Sequence, residues 1–376
     1  MNVLFMVSWY FSIADENPVG TFHTEQAREL SKHCNIAVYY PYERNIDVPF
    51  CKNEELGLTT YRSKYKLEDK FKNRKYMIMT MKQIVKEFKP DIIHGHVGTE
   101  AGRFAVMLGK LFGIPVMLTE HSSADLSGVR SFPHHQYAWM SYRGSRYNAC
   151  VSDKLTSDLS EIFKNYKFHT IYNGIKLPEE ISEGQDYRVP DVVNMVLVAS
   201  MYDRNIKGIP MLMPVLSRLK REGMDFAMHF VGDGAFRAEF EQMARDNGIH
   251  DNCIFHGRRQ RSEVFGIVSQ MDFLMSVSRY ESFGCTMAEA AMVGTPVLAS
   301  DSGGSASIVN EGNGILLSDY SEEALYMGIK QMIERYKDFD HQAISNEARQ
   351  KFDIRIVTDK YLDIYKMILD NPRVKY

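Results

Sequence analysis

Short apolar runs alternate with segments of helical period along the whole chain, and this rhythm constrains the fold more than any other feature. Such alternation is satisfied by parallel sheets covered on both faces by helices. In the first half the apolar runs fall at 3–7, 36–40, 91–94, 116–119, 149–152 and 169–172, with helical candidates at 21–33, 70–88, 100–112 and 153–163. The rhythm breaks at 177–191, where Pro178, Gly184 and Pro190 lie among acidic residues without any period. It resumes with runs at 195–199, 226–231, 253–256, 273–276, 296–300 and 314–317. The chain therefore reads as α/β: a Rossmann-like domain over 1–176, a linker over 177–191 and a second Rossmann-like domain over 192–353. The segments 321–336, 342–351 and 354–369 read as consecutive helices without strands. The C-terminal helices are expected to close over the domain interface, with 354–376 packing back toward the first domain. Two such domains facing each other place a ligand cleft at the carboxyl ends of their strands.

Composition narrows the class. An apolar share of 44% and a charged share of 25% exclude a disordered chain, a collagen-like fibre and a coiled-coil rod. A net charge of −3 gives no global electrostatic reason to bind nucleic acid, and none is expected as a partner. The cysteines at 34, 51, 150, 253 and 285 show no paired spacing, which suits a reducing, cytoplasmic compartment. The apolar opening, 1–14, is too short to span a bilayer and lacks a basic leader, so it is read as a buried first strand.

The densest chemical signal runs from Met271 to Gly304, MDFLMSVSRYESFGCTMAEAAMVGTPVLASDSGG. A strand ends near Ser278, a loop follows, and Gly284 opens a helix whose first turn (Gly284, Cys285, Thr286) presents backbone amides. The positive end of a helix dipole with such amides is an anion site suited to phosphate. Glu281 precedes that helix and Glu289 lies about 1.4 turns inside it. An isolated carboxylate is most often solvated or salt-bridged, but here the two sit at different depths of one strand–loop–helix junction. One can meet a sugar and the other a ribose, since carboxylates accept hydrogen bonds from hydroxyls.

This stretch resembles the E-x7-E motif of family 4 of the retaining glycosyltransferases (glycosyl transferases group 1), which adopt the two-Rossmann GT-B fold. Further landmarks follow in the same order. They are Pro90-Asp91-Ile92-Ile93-His94-Gly95-His96, Leu118-Thr119-Glu120-His121, Ile171-Tyr172-Asn173-Gly174, Phe230-Val231-Gly232-Asp233-Gly234 and Phe255-His256-Gly257. Gly20 corresponds to the glycine loop before the first helix. The resemblance implies catalytic roles for His121, Glu281 and Lys207. Glu281 would bind donor sugar hydroxyls, Glu289 the ribose, and Ser282, Phe283, Gly284, Cys285 and Thr286 the diphosphate. Lys207 would add a positive charge on that diphosphate, His121 would reach the sugar beside its reactive carbon, and backbone atoms around Arg258 would meet the base. Two positions depart from the pattern. Met201 stands where the family usually has an arginine, for which Arg204 is the nearest replacement, and Ser307 stands where a glutamate is common.

The implied reaction is front-face displacement with retention, moving a hexosyl unit from a nucleotide diphosphate sugar, a UDP-sugar being favoured, to a hydroxyl of a saccharide or lipid-linked acceptor. The leaving phosphate can accept the acceptor's proton. No cofactor and no metal are expected: the Asp-x-Asp at Asp338 and Asp340 reads as a solvated turn between late helices. Two competitors stay open. A UDP-sugar 2-epimerase-like isomerase could use the same architecture, and a catalytically silent transferase-like protein would draw support from Met201. A dinucleotide reading of Gly232-x-Gly234 fails, because Arg237 occupies the third glycine position.

One basic stretch stands apart. Residues 61–82 hold eight Lys or Arg against Glu68 and Asp69, interleaved with Tyr61, Tyr65, Phe71 and Tyr76. It reads either as a solvated helix face or as a surface for anionic lipid head groups, which would place the protein peripherally at the inner face of the membrane.

Overall fold

A computed structural model describes residues 1–11, 22–123, 128–181, 185–371 and 374–376. The chain divides into two units, one of Met1–Gly174 with Ile354–Tyr376, the other of Ile175–Asp353.

The first unit carries β1 (Asn2–Met6), α1 (Phe22–Leu30), β2 (Asn35–Glu43), β3 (Phe50–Glu55), β4 (Leu58–Lys64), α2 (Lys70–Glu87), β5 (Ile92–His96) and α3 (Ala101–Phe112). These are followed by β6 (Val116–Glu120), α4 (His134–Gly144), β7 (Tyr147–Cys150), α5 (Asp153–Ile162) and β8 (His169–Thr170). The sheet order is β3-β4-β2-β1-β5-β6-β7-β8, parallel throughout except for the β3–β4 hairpin. Strands such as Asn2–Met6 and Val116–Glu120 are almost wholly buried, as a sheet covered on both faces requires. The final helix, Ile354–Asp370, belongs to this unit. Its Val357, Tyr361, Ile364, Tyr365 and Ile368 recur at helical spacing and join Val3, Phe5, Ala27 and Leu30 in one core.

The hairpin was not foreseen. Phe50–Glu55 reads Cys-Lys-Asn-Glu-Glu after its phenylalanine and shows no apolar alternation, and its turn places Leu56 (φ 52°) and Gly57 (φ 78°) in the left-handed region. It also corrects the reading of the basic stretch. Tyr61–Lys64 end a strand, and Arg62 is fully buried, its guanidinium paired with Glu43 at 2.6 Å and Glu55 at 2.8 Å. Arg62 is therefore neither a solvated helix residue nor available to a lipid. The exposed cations of this stretch are Lys66, Lys70, Lys72, Arg74, Lys75 and Lys82, on and just before α2.

The second unit carries β9 (Val193–Val198), α6 (Ile209–Arg221), β10 (Phe226–Val231), α7 (Arg237–Asp246), β11 (Cys253–Gly257) and α8 (Arg261–Gln270). It continues through β12 (Phe273–Ser276), α9 (Cys285–Met292), β13 (Val297–Ala299), β14 (Gly314–Leu316), α10 (Glu322–Arg335) and α11 (His341–Phe352). Its sheet is parallel, in the order β11-β10-β9-β12-β13-β14. Part of the stretch read as linker is fastened here: Arg188 pairs with Asp272 at 3.0 Å, and Tyr187 N donates to Gln270 Oε1. Asp340 caps α11, accepting from the amides of Gln342 and Ala343. All five cysteines are free thiols. Among the described residues, no helix is long and apolar enough to cross a membrane.

Candidate functional site

In the second sheet the strand order reverses between β9 and β12, and open α/β sheets bind ligands beyond the carboxyl ends of strands at such a switch point. The segments leaving β9 and β12 run against each other there, with Arg279 N donating to Ile206 O at 2.8 Å. Gly208 permits this approach: its φ is +66°, and a Cβ would lie 1.9 Å from Val277 O. Beside it Lys207 Nζ donates to Glu281 Oε1 at 2.5 Å, and Ser278 Oγ donates to the same oxygen at 2.9 Å. The Glu281 backbone is fixed as well, its N–H donating to Ser302 O and its carbonyl accepting from Gly304 N.

Three residues further on, α9 begins. Gly284 is its N-cap at φ +98°, a conformation that favours glycine. Phe283 is buried edge-on against Phe352, with ring centroids 5.6 Å apart, which anchors the loop. Helix starts leave their first amides without intrahelical acceptors, so the Gly284–Cys285–Thr286 turn carries the partial positive charge expected there. Ser282, Cys285 and Thr286 are half-buried. Glu289, one turn on, accepts from Arg261 Nη2 at 2.9 Å. Arg261 opens α8 and was not singled out from sequence, because nothing local marks it as Glu289's partner.

The remaining candidates of this unit lie differently. Arg258 is exposed immediately after β11. Arg204 is held at the surface by Glu239 and has Asn205 at 3.4 Å. Met201 is wholly buried, its backbone bonded to Asp233 O and to Phe236 N. The 232–234 turn thus lies backbone to backbone on the chain after β9, a packing role for its glycines. Gly20 lies outside the described residues.

In the first unit, His94 and His96 sit on β5 and His121 directly follows β6. His96 Nδ1 and His121 Nε2 are 2.9 Å apart, their rings stacked. His23, from α1, packs edge-on against both. Burial drives all four imidazoles toward the neutral form: His23, His94 and His96 are held well below the usual histidine range, and His121 is lowered to about 3. Both nitrogens of His23, Nε2 of His96 and Nδ1 of His121 are buried without a hydrogen-bond partner. Among the described residues, His23, His96 and His121 form the group that could hold a metal ion, with ligand nitrogens within 4.8 Å of one another. No local signal in the sequence marks this trio, because His23 lies more than seventy residues from the others.

Two neighbours position the histidines. Glu120, whose carboxyl is pushed up by burial, accepts from the amides of Gly98, His121 and Ser122 and from the Tyr142 hydroxyl, which fixes the turn that presents His121. Tyr365 of the final helix bonds His94 Nδ1 at 2.7 Å, while Thr119 bonds its Nε2 at 2.7 Å.

Comparison with known proteins decides the family. Residues 183–351 match the model described as glycosyl transferases group 1, and residues 19–178 match that of glycosyltransferase family 4. The chain belongs to the family 4, group 1 glycosyltransferases. A relative is an uncharacterized glycosyltransferase of Methanocaldococcus jannaschii, 27% identical over 79% of this chain and 87% of its own. Among solved structures, sucrose-phosphate synthase from Thermosynechococcus elongatus superposes with a TM-score of 0.78 at 16% identity, over 98% of this chain and all of the other. Anabaena HepE in complex with UDP superposes with a TM-score of 0.76, also at 16% identity, over 98% and 100% of the two chains. The glycosyltransferase therefore has the two-Rossmann GT-B fold that its sequence implied. Both family models describe transferases, which does not favour the isomerase alternative.

Proposed function

We propose that this glycosyltransferase is a retaining, metal-independent hexosyltransferase that uses a UDP-sugar and an acceptor hydroxyl in polysaccharide or lipid-linked glycan synthesis. The observation that carries the proposal is the Lys207–Glu281 pair at the start of α9. One side chain is a cation suited to a leaving diphosphate and the other an acceptor suited to sugar hydroxyls, and each neutralises the other until a donor arrives. On binding, the ammonium would turn to the diphosphate beside the α9 amides, and the carboxylate to the sugar. As the glycosidic bond stretches, negative charge grows on the diphosphate, where a well-placed donor is worth roughly 3–4 kcal/mol. Glu289 is proposed to hold the ribose, Arg258 backbone atoms the base, and the 282–286 segment the phosphates. Arg204 would have to leave Glu239 to assist. The UDP bound by HepE supports the choice of nucleotide.

His121 is proposed to hydrogen-bond a hydroxyl of the transferred sugar. Its neutrality suits that task, because an imidazolium would oppose the cationic character that develops at the reactive carbon.

A peripheral contact with anionic membrane at the cytoplasmic face is proposed through α2. Phe71, in the first turn of α2, is 92% exposed and Leu67, in the turn before it, 66% exposed, and they are flanked by Lys66, Lys70, Lys72, Arg74 and Lys75.

Incubation with UDP, GDP, ADP and NAD in EDTA, followed by thermal unfolding, tests the donor site: selective stabilisation by UDP is expected. Stabilisation by NAD alone contradicts it. The anomeric configuration of the product, read by NMR coupling, then tests retention, and inversion contradicts it.

A further inference from the structure

A cavity of about 790 Å³ opens in the first unit, within the range of roughly 300–1,000 Å³ typical of small-molecule sites. Its wall is aromatic to an unusual degree, with Trp9, Tyr10, Tyr40, Tyr42, Tyr65 and Tyr137 all lining it. The rings are braced rather than loose. Tyr42 meets Tyr40, Tyr65 and Phe104 edge-on at 5.2–6.1 Å, and the buried Arg62 guanidinium supports Tyr10 and Tyr40 from behind at 5.2 and 5.7 Å. Trp9 is 40% exposed, with its indole stacked toward His23. Rigid aromatic faces in a polar cavity are suited to the C–H faces of sugar rings, since they offer apolar area at little entropic cost.

The charges of the cavity add a second requirement. The Arg103 guanidinium is held between the rings of Tyr137, at 4.3 Å, and Phe104, at 4.5 Å. Among the described residues it makes no ion pair, and its Nε is buried without a hydrogen-bond partner. Arg44 also lines the cavity and is exposed. Of the lining carboxylates, Glu43 is committed to Arg62, while Glu100 is pushed toward its neutral form by burial. The cavity wall thus holds a planar cation braced by two rings, and a guanidinium so placed suits a carboxylate or phosphate. Ser122, next to His121, lines the same space, so a bound ligand would lie beside the histidine turn.

We propose that this cavity seats the acceptor as an acidic saccharide, its rings stacked on Trp9 and Tyr137 and its carboxylate or phosphate held by Arg103 with help from Arg44. The assignment rests on the transferase reading for the word acceptor; the binding of an acidic sugar does not.

The test uses the two tryptophans of the chain. In the Trp139→Phe variant of the full chain, Trp9 is the single tryptophan, and its emission, excited selectively over tyrosine, is titrated with digalacturonate, glucose 1-phosphate and neutral cellobiose. A saturable change with an acidic probe is expected, at least tenfold tighter than with cellobiose, and Arg103→Gln should weaken that acidic probe about tenfold while leaving cellobiose unchanged. A response to digalacturonate alone identifies a uronate, and to glucose 1-phosphate alone a sugar phosphate. Equal affinity for acidic and neutral probes, no response to any of them, or an unchanged Arg103→Gln protein overturns the proposal. UDP stabilisation measured on the same samples reports the second unit separately. Its loss with sugar binding intact would sink the transferase reading and not this one.

Discussion

Lys207 and Glu281, seventy-four residues apart, meet at 2.5 Å because Gly208 lets the segment after β9 lie against the one after β12. The pair is partly exposed, 29% for the lysine and 18% for the glutamate. Its worth to stability is accordingly small, about 0–1 kcal/mol. Its worth to turnover should be large. Lys207→Ala is expected to lower kcat by about 10²–10³ while leaving the melting temperature nearly unchanged, checked by product assay and calorimetry on the same protein.

Gly208→Ala should behave in the opposite way. A methyl group 1.9 Å from Val277 O, on a backbone at φ +66°, forces the two segments apart. A destabilisation of roughly 1–3 kcal/mol is expected from the backbone conformation alone, with weaker UDP binding alongside. Unfolding melts with and without UDP read both.

The histidine cluster makes a pH prediction. His23, His94, His96 and His121 have their pKa lowered in the fold, His121 to about 3, against roughly 6.5 in the unfolded chain. Between those values the unfolded state binds more protons. The stability they contribute is therefore complete above about pH 6.5 and lost as pH falls, by up to about 1.4 kcal/mol per pH unit for each group. His23→Phe removes one such group, so its melting temperature should fall less steeply between pH 6.5 and 4.5 than that of the wild type. Parallel profiles would count against the account.

Membrane contact through α2 is tested by sedimentation with vesicles containing anionic phosphatidylglycerol. Substituting Lys70, Lys72, Arg74 and Lys75 by Ser, or Phe71 by Ser, should abolish cosedimentation. Unchanged sedimentation of both variants rejects the contact.

What was legible in the sequence follows from which features are local. The β12–loop–α9 junction shows in one continuous stretch, because Glu281, Gly284 and Glu289 are close in the chain and their roles depend on helix geometry. The three final helices carry their own periodicity. The β3–β4 hairpin did not show, since Phe50–Glu55 lacks alternation and Leu56 takes a left-handed turn position more typical of asparagine or glycine. Arg62 looked like one more surface cation, and its burial depends on Glu43 and Glu55 arriving from two other strands. The partners of Glu281, Glu289 and His94 were hidden for the same reason. Lys207, Arg261 and Tyr365 reach them only once the sheets and the final helix are assembled.

On the proposed mechanism a nucleoside diphosphate binds at Lys207 and the start of α9 without a metal ion. Calorimetric titration of UDP into the full chain in EDTA, compared with Lys207→Ala, tests it most directly. Binding to the wild-type protein is expected, with a loss of about 10- to 100-fold in the variant, the scale of one charge-assisted hydrogen bond. UDP binding that requires a divalent cation, or that is equally tight in both proteins, would contradict it.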